Sequence, residues 1–210
     1  MVSGTARGRF LVLEGGEAAG KSTQAARLAE RLGAVATREP GGTEVGAGLR
    51  TLLLDPGTRG LDARTEALLM AADRAQHVAE VVRPALDAGR HVVCDRYIGS
   101  SLAYQGYGRG LPLDELRRLS AWATRGLLPD VVVLLDVPRA TALARTNADP
   151  DRFEAAGDGF HARVLEGFRA LAAADPDRWI VVDGTGSPEE VEAAVWSAVV
   201  ARCPDLAPGG

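Results

Sequence analysis

The sequence predicts an open α/β fold, a parallel sheet with helices on both faces, and three observations predict it. Short apolar runs recur along the chain, helical patterns fill the intervals between them, and a glycine-rich loop joins the first run to the first helix. Strands alternating with helices pair in parallel through right-handed crossovers, and ligands of such sheets bind at the carboxyl ends of the strands.

Residues 1 to 8, rich in Gly, Ser and Arg, predict a flexible leader. Phe10 to Leu13 is the first buried strand, and Ser22 to Leu32 the helix after the glycine loop. A weaker run at Ala34 to Thr37 precedes a helix over Val45 to Leu54 and a long one over roughly Ala63 to Ala88. His91 to Cys94 is the third strand, Pro112 to Arg125 a helix, and Val131 to Leu135 the fourth strand. Helices over Arg139 to Arg145 and Gly159 to Ala173, a strand at Trp179 to Val182 and a helix over Pro188 to Ala201 complete the pattern. Residues 204 to 210 predict a flexible tail.

The 210 residues, 46% of them apolar, supply one core, so residues 9 to 203 form a single domain with no linker or repeat. Twenty-four basic against 28 acidic side chains give a net charge of −4. No general affinity for nucleic acid or anionic membrane is expected, and an anionic ligand must be met locally. The apolar runs are too short to span a bilayer, and the N-terminus lacks the apolar core of a signal peptide, so a cytoplasmic location is expected. Cys94 and Cys203, far apart, suggest neither a disulfide nor a zinc site. Every basic residue is arginine except Lys21.

That lysine falls in Gly15-Gly16-Glu17-Ala18-Ala19-Gly20-Lys21-Ser22, which fits G-x-x-x-x-G-K-[ST] between a strand and a helix. In a phosphate loop of this kind the backbone N–H groups of Gly15 to Thr23 cradle a polyphosphate. Lys21 reaches the β/γ oxygens and Ser22 offers Mg²⁺ a hydroxyl. The plain alternative is a glycine turn capped by Ser22. A GTPase would need a second lysine in N-K-x-D, and motors and transporters need longer chains, which leaves a compact kinase.

His91-Val92-Val93-Cys94-Asp95-Arg96-Tyr97 is an apolar strand ending in an acid, suited to hold Mg²⁺ or its water through Asp95, with Arg96 facing an acceptor phosphate. Asp136, ending Val131 to Leu135, has the same form and competes for the metal.

Thr37-Arg38-Glu39-Pro40-Gly41-Gly42-Thr43, Asp95-Arg96-Tyr97 followed by Ser100 to Gly106, and Asp151-Arg152-Phe153-Glu154 together resemble the thymidylate (dTMP) kinase family, in its motif order from about residue 9 to 200. The resemblance implies a P-loop kinase fold with a five-stranded parallel sheet and a short lid at about 146–158, and γ-phosphoryl transfer from ATP to dTMP with Mg²⁺. A phosphate acceptor is already anionic and needs no general base; His77, His91 and His161 lie in no motif. By the family pattern Glu17 meets the sugar 3′-hydroxyl, Arg38, Arg50 and Arg96 the acceptor phosphate, and Arg74 the thymine. Ser101 and Gln105 line the base pocket, and Tyr104 lies beneath the deoxyribose. Met70 stands where the family usually has phenylalanine, so a thioether would lie against the base. Gly16 to Ala19 carry no basic residue, which in this family assigns the catalytic arginine to the lid, with Arg145 and Arg152 as candidates.

The resemblance also implies a homodimer, for which residues 63 to 88 supply either an interface helix or one buried within the monomer. The rival readings are a deoxynucleoside kinase, another nucleoside monophosphate kinase, or a non-catalytic nucleotide-binding module. A module of that last kind would have no need of Lys21, Ser22, Asp95, Arg96, Arg145 and Arg152 together.

Overall fold

The computed structural model describes residues 7–145 and 151–207. Five parallel strands, β1 (Phe10–Gly15), β2 (Val35–Arg38), β3 (Val92–Asp95), β4 (Val131–Asp136) and β5 (Trp179–Asp183), form one sheet in the order β2-β3-β1-β4-β5. The central β1 pairs Leu13 with Asp95 of β3 on one side and Gly15 with Leu135 of β4 on the other. Its carboxyl end is thereby level with theirs.

Alternation along β1 divides the core. Leu11 and Leu13 face α1 (Lys21–Leu32) and, from the far end of the chain, α9 (Pro188–Arg202), in a cluster with Leu28, Val133 and Val195. Phe10 and Val12 face the other way, toward Val78, Val82 and Leu86. Between α1 and α9 the chain lays down α2 (Glu44–Leu54), α3 (Ala63–His77), α4 (Arg83–Asp87), α5 (Ile98–Ser101), α6 (Leu113–Thr124), α7 (Arg139–Ala144) and α8 (Asp158–Ala174). The aromatic cluster of Tyr104, Phe153, Phe160 and Phe168 joins α8 to the segment after α5.

Two departures from the sequence reading have local causes. The long helix expected over Ala63 to Ala88 is α3 and α4 joined by a wider π-turn at Val78–Val82, ahead of Pro84, whose ring cannot sit in a regular helical interior. Residues Ile98–Gly108, outside the helical patterns of the sequence and carrying three glycines and two serines, form α5 and a π-helical run from Leu102 to Gly108. Packing supplies what propensity lacks: an added Cβ at Gly108 would sit 2.5 Å from Phe160, and one at Gly106 2.4 Å from Leu113.

The expected frayed ends are also drawn too wide. Gly8 is buried and donates its N–H to Leu86 O at 3.0 Å, and a turn at Pro204–Leu206 docks Leu206 into the core. Residues 1–6 and 208–210 of the expected leader and tail, and 146–150 of the expected lid, lie outside the described residues. Among the described residues no helix is long and apolar enough to cross a membrane. Both cysteines are buried and free.

Leu28 lies in the core away from the carboxyl ends of the strands, so Leu28→Ala should cost about 2–5 kcal/mol in urea unfolding. Nucleotide KM values should not move. A rise in KM without loss of stability would show that Leu28 serves the ligand loop and not the core.

Candidate active site

The loop after β1 is shaped to present backbone to a ligand. Gly15 has φ 148°, and an added Cβ would stand 2.7 Å from Leu135 O, which only glycine avoids. Ala18 and Gly20 turn the chain through left-handed conformations, and α1 begins at Lys21 with Gly20 as its N-cap and no side chain closing its end. Ser22 is therefore not a cap. The first N–H groups of α1 face a basin at the helix N-terminus, an arrangement suited to phosphate oxygens.

Lys21 lies in this basin, almost wholly buried, its Nζ donating to Gly16 O at 2.5 Å. Burial, and then the positive charge of Arg96, push its pKa down to about 8 against the opposing pull of Glu17 and Asp95. Ser22 Oγ donates to Asp95 Oδ2 at 2.5 Å, while Asp95 Oδ1 is buried without a hydrogen-bond partner. A hydroxyl and an unsatisfied carboxylate oxygen side by side at the basin wall are hard ligands that fit Mg²⁺, which completes its shell from water and phosphate. The rival Asp136 is engaged by Arg169 at 2.9 Å. Among the described residues no group of three or more His, Cys, Asp and Glu could hold a metal by itself.

Arg96 stands where this basin meets a second. Its backbone is left-handed at φ 70°, a strained choice for arginine. The side chain donates from Nη1 to Gly15 O at 3.0 Å and Ser100 Oγ at 3.2 Å, while Nη2 pairs with Glu17 Oε1 at 2.9 Å. Tyr104 donates its hydroxyl to the same Glu17 oxygen at 2.6 Å and puts its ring 5.1 Å from the Arg96 guanidinium. Burial alone would raise the Glu17 pKa, but Arg96, Lys21 and the tyrosine bring it down to about 2. Arg50 is half-buried and held by Pro40 O at 2.9 Å; burial, then the charges of Arg38 and Arg96, lower its pKa. Three mutually repelling guanidiniums converge on space that an anion would neutralise.

The second basin runs from Glu17, Arg50 and Arg96 to Met70, Ser101, Tyr104 and Gln105. Arg74 is buried there, donating from Nε to Glu39 Oε2 at 2.7 Å and from Nη2 to Tyr97 O and Ser101 Oγ, both at 3.0 Å. Its Nη1 is buried and unpartnered. Glu39 also meets His77 Nδ1 at 2.8 Å, and His77 Nε2 meets Thr37 Oγ1 at 2.7 Å. Sequence reasoning assigned Arg74 but missed its anchor Glu39, although Glu39 lies inside a motif that it singled out. It also missed Glu14, buried on the Phe10 and Val12 face of β1. Glu14 Oε1 accepts the N–H groups of Tyr97 and Ser100, each at 3.0 Å, and Oε2 accepts Ser100 Oγ–H at 2.6 Å. An acid ending an apolar strand was the available signal.

Arg152, expected on the transferred phosphate, does not line the phosphate basin in this structure. Its Nη1 donates to Glu66 Oε2 and its Nε to Leu53 O, both at 2.7 Å, and its guanidinium lies 4.5 Å from the Phe153 ring. The whole Asp-Arg-Phe-Glu motif is a clip. Asp151 Oδ1 accepts the N–H groups of Phe153 and Glu154, Glu154 Oε2 accepts that of Asp151, and Phe153 buries its ring 5.8 Å from that of Tyr104. Arg145 instead lines the phosphate basin, donating from Nη2 to Thr185 O at 3.0 Å beside Gly184 and Gly186.

A parallel sheet with a glycine loop at its central strand, a hydroxyl and carboxylate pair for a metal, and a basic crevice leading to an apolar pocket defines a P-loop phosphotransferase of the nucleotide-kinase class. A family model for thymidylate kinase matches residues 13–195. A thymidylate kinase of Synechococcus sp. (strain JA-2-3B'a(2-13)) is 52% identical over 202 residues, covering 93% of this chain and 96% of that one. One from Deinococcus radiodurans is 50% identical over 203 residues, covering 93% and 98%. The crystal structure of thymidylate kinase from Ehrlichia chaffeensis superposes with a TM-score of 0.78 at 30% identity, over 92% of this chain and 99% of that one. The chain belongs to the thymidylate kinase family.

Lys21, titrating near 8 when the basin holds no anion, should become fully protonated beside a polyphosphate. Binding of tripolyphosphate at pH 8 should then take up about half a proton per site, read by calorimetry in buffers of different ionisation enthalpy. Uptake that persists undiminished in Lys21→Arg would assign the proton to another group.

Proposed function

We propose that the protein transfers the γ-phosphoryl group of ATP to dTMP, giving ADP and dTDP, with Mg²⁺, as a homodimer in the cytoplasm. The observation that carries this reading is the junction of two basins at Glu17, Arg50 and Arg96. One basin is walled by helix N–H groups and Lys21; the other joins the apolar surfaces of Leu54, Met70, Tyr104 and Phe153 to polar groups of Arg74, Ser101 and Gln105.

In the first basin the N–H groups of Gly15 to Thr23 and the Lys21 ammonium hold the donor phosphates, with Arg145 at the outer end beside the Gly184 turn. Mg²⁺, held by Ser22 and Asp95, supplies charge neutralisation on the phosphate oxygens when bound. Arg38, Arg50 and Arg96 hold the acceptor phosphate in line with the donor. Arg96, reaching both basins, and Lys21 stabilise the charge that shifts between the two oxygens. No residue need remove a proton, because the attacking phosphate oxygen is already anionic.

The second basin fits a deoxynucleoside. Glu17, kept ionised, accepts from the 3′-hydroxyl, and Tyr104 closes the space below the sugar where a 2′-hydroxyl would stand. Met70 lies against one face of the base, a polarizable thioether in place of an aromatic ring. Arg74 Nη1 offers a donor to the base edge. Gln105, which lines the basin, is bound through Nε2 to Glu66 at 2.9 Å, and that bond leaves its amide oxygen to accept from the base. A donor beside an acceptor suits O4 and N3–H of thymine.

A coupled ADP-release assay over nucleosides and monophosphates tests the reading: dTMP should be the preferred acceptor by a wide margin. Preference for a nucleoside would overturn it. Arg145→Ala should raise the KM for ATP about tenfold, whereas Arg152→Ala should raise that for dTMP and leave ATP alone, without the roughly 10³-fold fall in kcat of a lost arginine finger. A kcat collapse in Arg152→Ala would restore it as a group on the transferred phosphate.

The homodimer rests on one face. Trp122 of α6 is 81% exposed and Leu68 of α3 57%, and Trp122 lines a groove with Ala75, Val78 and Ala79, flanked by Arg83 and Arg125. An exposed indole beside a row of small side chains suits a self-complementary contact. Trp122→Glu should convert a species of twice 22.0 kDa into one of 22.0 kDa in sedimentation velocity. A wild-type protein that sediments as the smaller species would remove the dimer.

A further inference from the structure

Glu66, in the first turn of α3, is as buried as any apolar core residue yet accepts four hydrogen bonds from three residues in two other segments. Its Oε1 accepts from Gln105 Nε2 at 2.9 Å and Arg109 Nε at 3.3 Å; its Oε2 accepts from Arg109 Nη2 at 3.1 Å and Arg152 Nη1 at 2.7 Å. Gln105 forms part of the base pocket, and Asp151 and Phe153, on either side of Arg152, line the same pocket. Burial of a carboxylate is tolerable only because two guanidiniums and an amide face it.

We infer that Glu66 is the positioning residue that selects 4-oxopyrimidines over 4-aminopyrimidines, by fixing which end of the Gln105 amide faces the base. The inference rests on the dTMP reading of this pocket. A carboxylate between two arginines accepts and does not donate, so the Gln105 NH₂ must turn to it and the amide oxygen must turn away. Arg74, which also lines the pocket and whose Nη1 has no partner, can only donate. A base with N3–H and O4 satisfies both, while cytosine presents an acceptor at N3 and a donor at C4 and leaves each protein group facing its like. Without the carboxylate the amide is free to reverse, and the pocket no longer has a reason to reject cytosine at N3. Through Arg152 the same carboxylate fastens the Asp151–Phe153 clip over the pocket, so acceptor affinity depends on it as well.

The test compares kcat/KM for dTMP, dUMP and dCMP, and calorimetric binding of dTMP and dCMP, in wild type, Glu66→Gln and Glu66→Asp. Glu66→Gln should lower the dTMP:dCMP ratio about ten- to hundredfold, the range of a lost hydrogen bond to a charged group. The dTMP:dUMP ratio and the KM for ATP should stay within about twofold, because both oxo bases present the same edge. A merely structural loosening would erode methyl discrimination equally. Glu66→Asp keeps the charge between the arginines, and hence the fold, but withdraws the oxygens from Gln105, so it should show an intermediate loss. A folded Glu66→Asp with the wild-type dTMP:dCMP ratio overturns the inference, whatever becomes of Glu66→Gln. A wild-type protein that ignores dTMP overturns the reading beneath it instead.

Discussion

Parallel pairing of β1 with β3, Leu13 opposite Asp95, is the constraint on which the rest of the site depends. It sets the glycine loop beside the Asp95-Arg96-Tyr97 turn, so that Ser22 meets Asp95 and Arg96 reaches back to Gly15 O and across to Glu17. Period-two alternation then carries Glu14 to the opposite face from Leu13, under α5, where its two oxygens collect Tyr97 N–H and the Ser100 hydroxyl and N–H. A slip of one residue would exchange those faces and put Glu14 against the apolar layer of α1 and α9.

Buried charge is organised around three carboxylates, each serving a different neighbour. Glu14 steadies the turn that carries Arg96, Glu39 holds Arg74 and His77, and Glu66 holds Gln105, Arg109 and Arg152. Glu39 lines both basins, while Glu14 and Glu66 line neither. Their work is indirect: each aims a donor or an amide whose other end belongs to a ligand, and the low dielectric around them makes that aim stiff. Among the buried polar atoms left without partners, Asp95 Oδ1 and Arg74 Nη1 belong to residues for which the proposed Mg²⁺ and substrates supply the missing partners.

Most of the architecture was legible in the chain because apolar runs and the glycine loop are local signals. The strand and helix ends fall within a residue or two of their patterns, and Lys21, the one lysine, marks the loop without help from its neighbours. Ile98–Gly108 was illegible for the converse reason: its glycines and serines carry no helical preference, and the wide turns there are imposed by Phe160, Leu113 and α8 packed against them. The contacts of Arg152 with Glu66 and Leu53 were not legible, because a motif shows which residues belong together and not which way a guanidinium turns.

The class of fold, the phosphate loop, the Ser22 and Asp95 pair and much of the lining of the second basin were legible in the chain alone, since each is written in residue type and short spacing. Only the tertiary structure decided how the arginines divide their labour. Arg96 spans two basins while Arg152 is spent on Glu66, because that choice depends on which carboxylates, about eighty residues distant in the chain, fold within reach of each guanidinium. Sequence spacing carries no record of such contacts, and in a buried setting the nearest unpaired opposite charge determines where each arginine points.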